Sequence, residues 1–99
     1  MKKKADSVDY INGYPISEIW GTYHYLAREI APRLKAFKAL DKHGYCPAFS
    51  GIKTWNKAIQ KMIDAFELLD HITTYTDEEE QTIEEGLELF CKHFRNLWD

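Results

Sequence analysis

Apolar side chains recur at steps of three and four residues in three separate stretches of this chain. That period leaves little besides a helical bundle for it to fold into. Ile19, Tyr23, Ala27, Ile30, Leu34, Phe37 and Leu40 mark the first stretch, with Trp20, Leu26 and Ala31 widening it. Trp55, Ala58, Ile59, Met62, Ile63, Phe66 and Leu69 mark the second, and Ile83, Leu87, Phe90, Phe94 and Leu97 the third. The expected helices are Ser17–Asp41, Thr54–Asp70 and Thr76–Trp98. Ser17 and Thr54 are suited to N-caps because a hydroxyl there accepts from an orphan amide of the first turn. Thr76-Asp-Glu-Glu79 fits a reciprocal capping box, with its carboxylates at the positive end of the helix dipole. Pro32 removes one amide donor and crowds the carbonyl of Arg28, but the stripe keeps its phase across it, which predicts a kink and not a break. Gly44 is the expected stop.

Short links between such helices make them run up, down and up. The expected fold is therefore all-α: a compact three-helix up-down-up bundle over residues 17–99 with a Pro-kinked first helix, preceded by an N-terminal arm over residues 1–16. In the arm, Asn12-Gly13 favours a tight turn, and Tyr10, Ile11, Tyr14 and Ile16 are expected to pack partly on the bundle. The loop 43–52 carries two aromatics, Tyr45 and Phe49, unusual for a solvated link.

Ninety-nine residues, 44% of them hydrophobic, make one domain with a core that needs no metal or disulfide. Phe37, Trp55, Ile59, Met62, Phe66, Leu87, Phe90 and Phe94 are expected in one buried cluster, with Trp20, Trp55 and Trp98 as anchors. Cys46 and Cys91 are too few for a disulfide framework, and Cys91, on a face with Leu87, Phe94 and Trp98, is expected to be a buried thiol. There is no run of 18 apolar residues, and Met-Lys-Lys-Lys leads into a polar segment. No membrane span or signal peptide is expected, and the expected location is cytoplasmic. A pI near 5.8 argues against extended nucleic-acid binding.

Chemistry-bearing patterns are sparse. The histidines, at 24, 43, 71 and 93, offer one close helical pairing, Glu67 with His71, which is expected to be an exposed ion pair and not a metal site. Cys46 and His43 lie three apart in the loop with no visible third group to orient the histidine. Phosphate-loop, dinucleotide and zincin motifs are absent. No catalytic residue, metal or cofactor is expected, and an enzyme is the last-ranked class.

Charge carries more. The up-down-up topology gathers Arg33, Lys35, Lys38, Lys42, Lys53, Lys57, Lys61, Lys92 and Arg95 at one pole against Asp41 and Asp99, a balance of +7. Glu18, Glu29, Asp64, Glu67, Asp70, Asp77, Glu78, Glu79, Glu80, Glu84, Glu85 and Glu88 fall at the other against Arg28, a balance of −11. Such a field steers charged ligands and orients partners. At the basic pole, Lys35, Lys38 and Lys42, the rings of Tyr45, Phe49 and Trp55, and Lys53 and Lys57 at the start of the second helix form a candidate cradle for a nucleotide-like anion or an acidic protein surface. Two alternatives stand beside it: the lysines solubilise the surface, or the two poles pair between copies in a homo-oligomer.

Three strings, Ile30-Ala-Pro-Arg-Leu-Lys-Ala-Phe-Lys38, Trp55 with Lys61-Met-Ile-Asp-Ala-Phe66, and Glu85-Gly-Leu-Glu-Leu-Phe90 with Phe94 and Leu97-Trp98-Asp99, resemble a group of small uncharacterised helical proteins encoded by tailed bacteriophages and prophages. The resemblance spans about residues 17–99. It implies a phage accessory protein in the host cytoplasm and assigns no activity. By analogy with small helical phage proteins in general, which can disable host defence by binding a host protein or sequestering a nucleotide signal, a role of that kind is one expectation for this chain.

Overall fold

The computed structural model describes residues 10–71 and 73–98. A two-stranded hairpin, β1 (Tyr10–Ile11) with β2 (Tyr14–Pro15), leads into α1 (Ile16–Trp20), α2 (Thr22–Ala39), α3 (Ile52–His71) and α4 (Asp77–Lys92), then a 3-10 turn at Phe94–Asn96. The fold is mostly helical, as the period requires, with the hairpin as its only β-structure among the described residues. Residues 1–9 of the expected arm, and Asp99 of the expected basic pole, lie outside the described residues.

The turn at Asn12-Gly13 forms as expected, with φ of 52° and 88°, the pair of positive values that a two-residue hairpin needs. The strands register Tyr10 with Pro15 and Ile11 with Tyr14. Of the arm residues expected to pack partly, Ile16 is half-buried while Tyr10, Ile11 and Tyr14 are exposed, and α1 has no fully buried residue.

The first helix is not one piece. Gly21, at φ −108° and ψ 38°, separates α1 from α2. Ser17 falls inside α1, and Pro15 occupies the N-cap position without a side-chain cap. Pro32 does sit within the continuous helix α2. That helix ends at Ala39, before the expected Asp41, and Leu40 turns extended. α3 starts two residues earlier than expected, at Ile52, so Thr54 is inside it, its hydroxyl donating to the Gly51 carbonyl at 3.0 Å. α4 begins with the expected capping box: Thr76 Oγ1 accepts from the Glu79 amide at 3.1 Å and Glu79 Oε1 from the Thr76 amide at 2.9 Å. It stops at Lys92, short of the expected Trp98.

Contacts fix the up-down-up course. Arg28 Nε donates to Asp70 Oδ1 at 3.0 Å and Lys38 Nζ to Gln60 Oε1 at 2.8 Å, so α2 and α3 are antiparallel. Lys61 meets Glu85 at 2.8 Å while Trp55 meets His93, so α3 and α4 are antiparallel too. Both outer helices pack extensively on α3, whereas their backbones scarcely approach each other. The bundle is thus an open layer with α3 in the middle, not a closed triangle. Accordingly α3 supplies most of the core: Trp55, Ala58, Ile59, Met62, Ile63, Ala65 and Phe66 are buried there. Ala27, Ala31 and Leu34 meet them from α2, and Ile83 and Gly86 are the buried residues of α4.

Gly86 sets the close approach of α4 to α3. A Cβ at this position would stand 2.4 Å from Ala65 Cβ and 2.5 Å from the Lys61 carbonyl oxygen. The inward face of α4 therefore runs Ile83, Gly86, Phe90 and on to His93, and Leu87, Cys91 and Phe94 are turned out. Of the expected core, Leu87 and Phe94 are thus exposed, Phe37 and Phe90 are half-buried, and the other four are buried. Of the expected tryptophan anchors only Trp55 is inside; Trp20 and Trp98 are 83% and 73% exposed. The buried thiol is Cys46, not Cys91.

Candidate functional site

The loop between α2 and α3 closes on the end of α4. Cys46 Sγ lies 3.5 Å from His93 Nδ1, and the His93 ring is edge-on to both Phe49 (5.0 Å) and Trp55 (6.1 Å). Burial pushes the His93 imidazole below its ordinary pKa of 6.5, with Lys92 adding to the effect. In the tautomer with its proton on Nε2, a neutral ring accepts the Cys46 S–H at Nδ1. This knot brings the end of α2, the start of α3 and the end of α4 to one end of the molecule, as the topology predicted. It also shows why one of the loop aromatics is there: Phe49 packs on Trp55 at 5.3 Å, whereas Tyr45 stays exposed. A pocket of about 380 Å³ lies beside it, lined by His43, Tyr45, Pro47, Asn96 and Trp98, with the largely buried Cys46 at its wall.

The expected anion cradle is only partly assembled here. Trp55 is 1% exposed and presents no ring to a ligand. Lys42 is buried, and its Nζ donates to the carbonyls of Phe37 and Lys38 at 3.0 Å and of Leu40 at 3.3 Å, satisfying the orphan acceptors that end α2. Lys38 is engaged by Gln60, whose amide in turn donates to Asp64 at 2.8 Å. Lys35 pairs with Glu67. Phe49 is half-buried in the knot. Tyr45, Lys53 and Lys57 are exposed.

The two poles are correspondingly less separate than the count of charges suggested. Lys35 and Glu67, and Lys61 and Glu85, expected at opposite poles, form cross-helix pairs. Helices of 16 to 20 residues place their middle charges along the seams, not at the ends. The expected Glu67–His71 pair is replaced: Glu67 turns to Lys35, and His71 Nε2 lies 3.6 Å from Asp70 Oδ2. After these pairings, Lys53 and Lys57 on α3, Lys92 on α4 and Arg95 just beyond it are exposed cations at the Cys46–His93 end. None of the four takes part in an ion pair among the described residues. At the opposite end, Asp77, Glu78 and Glu80 stand exposed in the first turn of α4.

Sequence reasoning did not connect Cys46 with His93, because the residues are far apart in the chain and a histidine does not register in an apolar stripe. The signal available was positional: His93 continues the Ile83–Phe90 face by one helical step. Among the described residues no group of three or more His, Cys, Asp or Glu side chains is placed to hold a metal ion, and no helix is long and apolar enough to cross a membrane. Comparison of the chain with protein-family models, curated proteins and solved structures returns no match.

Proposed function

We propose that this chain is a non-catalytic binding protein, a phage accessory factor acting in the cytoplasm of a bacterial host, which takes an acidic surface of a host protein at its cationic end. The carrying observation is the set of exposed cations, Lys53, Lys57, Lys92 and Arg95, which form no ion pair among the described residues, at the end of the molecule where Tyr45 and Trp98 are also exposed. Tyrosine, tryptophan and arginine are the side chains that interfaces enrich, and the lysines around them add the charge that steers an acidic partner. A nucleotide-like anion is the weaker occupant. The rings and lysines that would have clasped it, Trp55, Lys35, Lys38 and Lys42, are buried or engaged within the chain. Opposing a host defence by occupying one of its proteins is the role that the phage resemblance suggests for such a surface.

Photo-crosslinking from position 57 in host cells, followed by reconstitution of the binary complex, tests this reading. The expected adduct is a protein with an acidic patch, whose affinity falls with added salt and falls again in the Lys53→Glu and Lys57→Glu variants. An unchanged affinity in both variants, or stabilisation by nucleotides that both variants abolish, would overturn it in favour of solubilising lysines or of the anion, respectively.

A further inference from the structure

The open layer leaves an apolar groove of about 970 Å³ between α2 and the end of α4 with the 3-10 turn that follows it. Ile30, Phe37 and Leu40 form one wall and Phe90, Phe94 and Leu97 the other. In a closed three-helix bundle the outer helices would meet over these side chains. Here Leu40 and Phe94 remain 49% and 59% exposed. The α2 rim carries Glu29 and Arg33, one helical turn apart, and neither has an ion-pair partner among the described residues.

We propose that this groove is the interface of a symmetric dimer, in which α2 of one copy lies antiparallel to α2 of the other about a two-fold axis level with Ala31. A two-fold contact requires that the same patch serve on both sides, residue i meeting j while j meets i. Opposite charges at positions 29 and 33 meet this requirement by themselves, because an antiparallel crossing sets each Glu29 against the other copy's Arg33. On this crossing Leu40 falls near the other copy's Thr22 and Ala36 near its Leu26, so the groove of each copy is covered by the first half of the other α2, where Tyr25 and Leu26 are exposed. A stable dimer buries about 800 Å² on each partner, and the exposed apolar side chains of α2 continue past the groove to Tyr25 and Leu26. This interface differs from end-to-end pairing of basic and acidic poles, which is purely electrostatic and dissolves as salt screens it.

Sedimentation of the full chain at low and high salt tests the proposal. The expected mass is twice the 11.7 kDa of one chain at both salt concentrations. Phe94→Asp is expected to give monomers with unchanged helical circular dichroism. Glu29→Arg and Arg33→Glu alone each set like charges opposed and are expected to weaken the dimer about tenfold, a change of about 1.4 kcal/mol. The double exchange, Glu29→Arg with Arg33→Glu, restores opposite charges across the axis and is expected to recover most of that loss. A monomeric parent, a dimer that dissociates at high salt, or a double exchange no better than the single reversals would each overturn the assignment.

Discussion

At the scale of single residues, Gly86 decides the most. Alanine is a better helix former than glycine by about 1 kcal/mol, so on propensity alone Gly86→Ala would stabilise α4. The added methyl, however, would stand 2.5 Å from the Lys61 carbonyl oxygen, a backbone atom that cannot step aside. Overpacking of this kind costs about 1–3 kcal/mol. The expected outcome is a net loss of about 1 kcal/mol in urea unfolding, and a stabilised variant would show that α3 and α4 do not pack this closely. The same residue explains where the sequence reading of α4 slipped. Apolar residues alone point to Ile83, Leu87, Phe90 and Phe94, but the helix turns its glycine and His93 inward and Leu87 and Phe94 outward. His93 adds a pH dependence. Its folded pKa is depressed below 6.5, chiefly by burial, so around and below that pH the unfolded chain binds the proton more readily than the folded one. The His93 contribution to stability is thus complete above the unfolded value, is lost as pH falls towards the folded one, and levels off below it. Denaturation midpoints measured against pH should slope upward through this range, and less steeply in His93→Gln; equal slopes would remove His93 as the cause.

At the scale of elements, interiors were legible and ends were not. The stripe of α3 named six of its seven buried residues, Trp55, Ala58, Ile59, Met62, Ile63 and Phe66, because it is buried against both neighbours and its pattern is the least ambiguous. Pro32 inside α2 was also legible, since an apolar stripe in phase on both sides of a proline requires a continuous helix. Helix ends are different. Gly21 breaks the first helix because it departs from helical φ and ψ, a choice that the surrounding apolar residues do not reveal. α2 ends where the Lys42 amine gathers three carbonyls, a cap supplied by a residue that sequence alone assigns to the solvent. Thr76 is the exception, because both halves of its capping box are spelled out in sequence. Thr76→Ala is accordingly expected to cost about 1 kcal/mol, with the largest loss of amide protection in the first turn of α4. A loss confined to other helices, or none, would mean that the box contributes nothing to the helix start.

At the scale of the whole molecule, the sequence could place charges at ends but not decide which of them remain available. The cationic end survives as Lys53, Lys57, Lys92 and Arg95, while the lysines along α2 are drawn into the seam with α3. Only packing distinguishes the two groups. Packing also ranks the elements by stability. α3 is covered from both sides, α2 and α4 from one, and α1 buries nothing, its link to the hairpin and to α2 being slight. Opening the hairpin and α1 breaks few apolar contacts, whereas opening α3 exposes the whole core. Local opening free energies scale with what each opening exposes, up to the global value in the most buried element. Hydrogen exchange should therefore find the slowest amides in the middle of α3, around Ile59–Phe66, exchanging only through global unfolding. α2 and α4 should be intermediate, and residues 10–20 should exchange far faster and with little response to mutations that weaken the core, such as Phe66→Ala. Protection of residues 10–20 equal to that of α3 would mean that the hairpin and α1 are covered in solution by a surface other than this chain's own three-helix layer.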